Sequence, residues 1–216
     1  MRRAAHALGT ALCLLCLLAA ILCLTAAHMG RDAALYARCF HAFADTSRFG
    51  VPESAYDGIA EDIAAYLSGA EADLSLFNAR EQAHLSDIRA LFRLFDRAWL
   101  LLIPAAALAV ILAARHDSRG YWAGLGMTFL LLAGLAAWIA LDFVNAFIAL
   151  HRLLFTNDLW LLDPQTDLLI CLMPERMFTF LAGRLALYAL PVWLIAPTCG
   201  AVWDLLRRGG KERWKQ

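Results

Sequence analysis

The feature that most limits how this chain can fold is a set of long uncharged apolar runs, at about residues 7–27, 98–114, 121–150 and 178–203. Crossing a hydrocarbon layer of ~30 Å takes roughly 20 helical residues. A soluble core would instead distribute its apolar residues in short periodic stripes. With 62% of 216 residues apolar, the expected fold is an all-α integral membrane protein. It has four transmembrane helices over those runs in a single membrane domain, 1–216. Extracytoplasmic segments span 28–97 and 150–177, the first helical and the second a re-entrant or interfacial loop.

The formal net charge of zero conceals a division along the chain. Arg2 and Arg3, the turn Arg115 to Arg119 and the tail Asp204 to Lys215 together carry nine basic and three acidic residues. The segments 28–97 and 150–177 carry nine basic and fifteen acidic residues. Under the positive-inside rule both termini face the cytoplasm and both loops face outward. Arg2-Arg3, the apolar run and Thr25-Ala26-Ala27 also resemble the three regions of a signal peptide, but the run is long for one. Cys13, Cys16 and Cys23 inside it lack the polar shell a metal site needs and read as small apolar fillers.

The segment 28–97 is not low-complexity and is expected to fold. In PESAYDGIAEDIAAYLSG, the residues Tyr56, Ile59, Ile63, Tyr66 and Leu67 recur at helical spacing and Gly69 closes the helix. Asn78 and Glu81 then have the spacing of a capping box, which starts a second helix. Its stripe is Leu85, Ile88, Leu91, Phe92 and Phe95. His84 and Asp87, three apart, share one face, so Asp87 is expected to orient the imidazole.

A second histidine leaves the third apolar run in FIALHRLLFTNDLWLLDPQTDLLICLMP. His151 lies nine residues after Asp142, within about three helical turns. Asn157-Asp158 and Asp163-Pro164 read as turns and Trp160 as an interface anchor. Leu161, Leu162 and the run from Leu168 to Leu172 make the loop an apolar cover. Asp142 and Arg184 fall near the outer ends of helices, where an unpaired charge costs about 2.5–3.5 kcal/mol, so they are expected to pair as a packing clamp.

Each histidine alone is more often a solvated surface residue than a catalyst. Two of them on one face of the membrane, each beside carboxylates, suit one interfacial cleft. Three other readings stay open. A thiol acyltransferase or hydrolase would use Cys39 or Cys171, although the apolar run around Cys171 blunts its thiol, and those two cysteines could instead form a disulfide. A metal would take His84, Asp87 and His151, with His28 or His41, but the ligand spacing is not clustered and no metal is expected. A membrane scaffold or lipid-binding protein would need neither histidine.

The stretches REQAHLSDIRALF and FIALHRLLFTNDLWLLDPQTDLLICLMPERMF resemble the two signature segments of the lipoprotein intramolecular transacylase family. These are four-helix bacterial membrane proteins formerly known as a domain of unknown function. YDGIAEDIAAYLSG is also similar to a family segment, so the resemblance runs from about residue 50 to 180. Leu85 and Ile88 stand where the family usually has methionine and valine, and the histidine-to-aspartate spacing is kept.

The resemblance implies a multi-pass protein of the bacterial cytoplasmic membrane with its active site facing the extracytoplasmic side. It implies transfer of the sn-2 acyl chain of a diacylglyceryl lipoprotein to the α-amine of its N-terminal cysteine, which leaves a lyso-form lipoprotein. His84 and His151 fall on the family's catalytic pair. Asp87, Asn157, Asp158 and Trp160 would support or orient them, Asn157 or Asp158 serving His151. The expected partners are the lipoprotein substrate and membrane lipids, with no nucleic acid. Aminolysis of an ester needs a neutral amine and proton transfers to and from the tetrahedral intermediate, which two imidazoles can share without a cofactor.

Overall fold

The computed structural model describes residues 2–114 and 118–213, and these contain helices and turns with no strand. In chain order the helices are α1 (Arg2–Met29), α2 (Ala33–Phe43), α3 (Tyr56–Ser68), α4 (Ala79–Phe95) and α5 (Trp99–Ala114). They continue with α6 (Ser118–Leu141), α7 (Phe143–Leu154), α8 (Leu168–Leu172) and α9 (Glu175–Arg213). Short 3-10 turns at Ser47–Phe49 and Glu53–Ala55 precede α3. The turn residues Arg115, His116 and Asp117 and the tail residue Lys215, counted above for orientation, lie outside the described residues.

The contacts within the chain group into two compact units. The first is Met1–Leu24, Arg97–Leu141 and Ala186–Gln216. The second is Thr25–Asp96 and Asp142–Leu185.

The first unit holds long apolar helices packed through small residues. Its core is Cys13, Leu14, Leu17, Leu18, Ile21, Ala105, Tyr121, Leu125, Ala189 and Trp193. A Cβ added at Gly124 would collide with the Ala7 carbonyl oxygen, so α1 and α6 meet there at glycine distance. Polar side chains give their protons to main-chain carbonyls, Trp193 Nε1 to Leu14 (2.8 Å) and Tyr121 Oη to Pro197 (2.8 Å). In hydrocarbon no water is available to take them. Three helices of the described chain are long and apolar enough to cross a membrane, namely Arg2–Met29, Ser118–Leu141 and Glu175–Arg207. Helix α5 covers the expected 98–114 run with 16 described residues, about 24 Å of rise.

The expected continuous helix 121–150 is two helices broken at Asp142. The aspartate has φ −150° and ψ 70°, outside the helical region, and caps α7. Its carboxylate accepts from the Asn145 backbone N–H at 3.3 Å and from Asn145 Nδ2 at 2.7 Å. A short acidic side chain that captures the first free amides of a helix ends the helix before it, which an apolar window does not register.

The second unit is built around α3, which follows the sequence pattern closely. Tyr56, Ile59, Ile63 and Leu67 are buried, and Gly69 ends the helix at φ +103°, where glycine alone is unstrained. Helix α2, capped by Asp32 and unmarked in the sequence pattern, packs Leu35, Tyr36, Cys39 and Phe40 into the same core. Helix α8 joins them with Leu168, Leu169 and Leu172, all 3% exposed or less. Part of the expected apolar cover is therefore core. Arg31 ties the unit together, with a bidentate pair to Asp96 at 2.7 and 2.9 Å and a bond from Nε to the Leu67 carbonyl at 3.1 Å.

Candidate active site

Helix α4 starts with the full capping box. Asn78 Oδ1 accepts from the N–H groups of Arg80 (2.9 Å) and Glu81 (3.1 Å), and Glu81 Oε2 accepts from the Asn78 N–H (2.7 Å). Glu81 does more than cap. It is 1% exposed, and its other oxygen accepts from the Leu169 N–H at 2.5 Å, fixing the start of α8 to α4. Burial pushes its carboxyl pKa up, against those two N–H groups. The buried positions of α4 are Glu81, His84 and Leu85, so this helix presents polar groups to the interior at the point where the apolar stripe was expected to begin.

His84 sits one turn after Glu81 and is 6% exposed. Its ring meets Phe155 edge-on at 5.3 Å, and its Nδ1 is buried without a hydrogen-bond partner. Burial pulls its pKa down to about 4; the neighbouring His151 adds to the effect and Asp87 opposes it. The imidazole is neutral at pH 7.

His151 occupies the last turn of α7. Its Nδ1 lies 2.9 Å from the Phe147 carbonyl oxygen. A carbonyl only accepts, so the proton is on Nδ1 and the Nε2 lone pair is left for chemistry. Three aromatic rings surround it: Phe147 at 4.0 Å, Trp160 at 5.0 Å and Phe155 at 5.7 Å. Burial lowers this pKa too, against the pull of the Phe147 carbonyl. Phe155 touches both imidazoles, so the two histidines share one aromatic wall.

The supporting residues take up roles different from those expected. Asp87 makes no hydrogen bond to His84 among the described residues and acts on it through space; its Oδ2 accepts from Asn157 Nδ2 at 2.9 Å. Asn157 and Asp158 make no hydrogen bond to His151 among the described residues; the His151 Nδ1 bonds the Phe147 carbonyl of its own helix. Asn157 offers its backbone carbonyl to Trp160 Nε1 (2.9 Å), and Asp158 offers its own to Arg80 Nη2 (2.7 Å). Trp160, expected as an interface anchor, packs on His151. Further along, Asp167 accepts from Asn78 Nδ2 and from the Asp163 N–H, both at 2.7 Å. Residues 157–169 are thereby pinned along α4 from Asn78 to Asp87. Asp142 caps α7, and the Arg184 guanidinium lies over Phe180 at 5.6 Å.

The sequence reading missed Phe147, Phe155 and the buried role of Glu81. Phe147, His151 and Phe155 follow at intervals of four, and Glu81 precedes His84 by three, so each spacing was visible as one helical face. All cysteines among the described residues are free thiols, and burial raises the pKa of Cys39 and Cys171, which makes both poor nucleophiles at neutral pH. Among the described residues no three His, Cys, Asp or Glu side chains converge as metal ligands, and His41 faces Glu53 and Asp57 instead.

The family described as "Lipoprotein intramolecular transacylase Lit" matches residues 11–178, which include every residue around the two histidines. The chain belongs to that family. It is accordingly an acyltransferase of lipoprotein modification. Its fold is similar to that of the membrane-integral lipoprotein intramolecular transacylase Lit from Bacillus cereus, with a TM-score of 0.66 and 19% identity over 92% of this chain and 97% of the other. No curated protein matches the sequence.

Proposed function

We propose that this transacylase moves the sn-2 acyl chain of a diacylglyceryl lipoprotein to the α-amine of the same molecule's N-terminal cysteine, by acid/base catalysis shared between His84 and His151. The observation that carries the reading is the placement of two neutral imidazoles against one phenylalanine ring. His151 Nε2 takes a proton from the amine nitrogen as that nitrogen attacks the ester carbon. The C–N bond forms, the C–O bond to the glycerol sn-2 oxygen breaks, and that oxygen leaves with a proton. His84 hydrogen-bonds the ester oxygens, a role its unengaged Nδ1 suits, and the proton held by His151 passes to the leaving oxygen, so both imidazoles end neutral.

Because amine and ester belong to one substrate, bringing them together replaces much of the binding that two separate substrates would need. An α-ammonium has a pKa of ~7.7–8.0. With both imidazoles already neutral near pH 7, the substrate amine sets the acid limb, and the rate rises with pH through neutrality. No cofactor takes part. We further propose four spans, both termini in the cytoplasm and a site facing the extracytoplasmic side of the bacterial cytoplasmic membrane. The charge division along the chain supports that orientation. Asp142 and Arg184 are proposed as a packing pair with no share in the proton transfers.

The test is mass spectrometry of the N-terminal lipopeptide from a diacylated reporter lipoprotein, co-expressed in a host lacking N-acylation. Unchanged total mass, with one acyl chain moved from glycerol to nitrogen in the fragment spectrum, is expected with the wild-type chain and not with His84→Asn or His151→Asn. A gain of one acyl chain would show a two-substrate reaction instead, and unchanged fragments with the wild-type chain would sink the proposal.

A further inference from the structure

His84 and His151 stand on different helices, α4 and α7, and among the described residues no hydrogen bond joins one imidazole to the other. Their relative position is set by what links the helices beside them. Asn157 makes that link with three of its polar groups. Its Nδ2 donates to Asp87 Oδ2 on α4 (2.9 Å), its Oδ1 accepts from the Leu159 N–H (3.0 Å) and its backbone oxygen accepts from Trp160 Nε1 (2.9 Å). Trp160 in turn lies 5.0 Å from the His151 ring. A continuous path therefore runs from the helix of His84 to the ring packed on His151.

We infer that Asn157 is a positioning residue for the reaction: through Asp87 and Trp160 it fixes the distance between the two imidazoles. The inference rests on the two-histidine reading above. Only an amide at this reach supplies a donor to Asp87 and an acceptor to Leu159 at once. An aspartate there would keep the acceptor, and so the local turn, while setting a carboxylate against Asp87. The turn and the cross-link can thus be separated by one substitution. Displacement of a catalytic group by about 1 Å can cost on the order of 100-fold in rate.

The experiment measures kcat and KM for the full-length protein in detergent with a diacylglyceryl lipopeptide, for wild type, Asn157→Asp, the exchange Asp87→Asn with Asn157→Asp, and His84→Asn, with melting temperature as a check on folding. In the exchange variant the amide at 87 donates to the carboxylate at 157, which restores the link with its polarity reversed. The expected result is a fall of about 10–100-fold in kcat for Asn157→Asp with KM nearly unchanged. The exchange variant recovers to within a few-fold of wild type. Wild-type kcat in Asn157→Asp overturns the inference, as does an exchange variant that melts like wild type yet is no faster than Asn157→Asp. If Asn157→Asp fails to fold, recovery of both folding and kcat in the exchange variant supports the link, and recovery of folding without kcat overturns it. A fully active His84→Asn would overturn the two-histidine reading itself, separately from the role of Asn157.

Discussion

The two units of this transacylase differ in what many of their polar side chains bond. In the first unit Cys13, Tyr121, Thr128 and Trp193 all hand a proton to a main-chain carbonyl, those of Ala105, Pro197, Gly124 and Leu14. Three of them join one helix to another, Thr128 bonds back within its own helix, and all four protons are used up. In the second unit polar side chains bond one another and the ends of other helices, as Glu81 does with Leu169 and Asn157 with Asp87. That network leaves His84 Nδ1 buried and unspent, and the Nε2 lone pair of His151 free. A buried polar group without a partner costs stability; Thr10 Oγ1 in the first unit carries that cost as well, and at His84 we attribute it to the proposed reaction. Damage to the first unit should therefore appear as lost stability, and damage around the histidines as lost activity.

The largest expected effect tests the second half of that contrast. His84→Asn and His151→Asn each lower kcat by about 10²–10⁴-fold in a lipopeptide assay while the melting temperature holds for His84→Asn, because its Nδ1 has no hydrogen bond to lose. Next, Gly124→Ala forces a methyl group against the Ala7 carbonyl and Thr10 Cβ. It should cost about 1–3 kcal/mol in denaturant or thermal unfolding, with the rate per folded molecule unchanged. Loss of rate without loss of stability in that variant would break the contrast.

Glu81→Gln sharpens it within the second unit. The amide leaves one of two N–H groups, at Asn78 or Leu169, facing an NH2 rather than an oxygen. A loss of about 1–3 kcal/mol is expected, with a smaller fall in kcat from the loosened α8. The smallest effect is expected at exposed His41, whose pKa is raised by hydrogen bonding to Glu53 first and then to Asp57. A raised folded-state pKa contributes its full stabilisation below the ordinary value of 6.5 and loses it as pH rises through the raised value. Wild type should therefore out-melt His41→Gln at pH 5.5 and converge with it by pH 9. The difference should shrink in high salt, since the group lies at the surface.

Much of this arrangement was legible in residues that act locally. The capping box at Asn78 and Glu81, the stripe and terminal glycine of α3 and the turns at Asn157 and Asp163 all follow from spacings of two to four residues. The two histidines were legible as groups at helix ends. What was hidden acts over long separations or against the average of its surroundings. Glu81 reads as a cap because its second partner, Leu169, is 88 residues away. Asp142 ends a helix inside a run whose mean character is apolar, so one capping side chain outweighs many neighbours. Helix α8 has five residues, too few for a period to show, and Asn157 reveals its link to α4 only once both segments are folded.

The most direct test of the central claim is the rate of acyl transfer in His84→Asn, His151→Asn and the double variant, measured on one lipopeptide substrate. Two imidazoles that serve a single transfer act as a unit, so the double variant should be no slower than the slower single one. Losses that multiply, or a single variant that keeps wild-type rate, would contradict it.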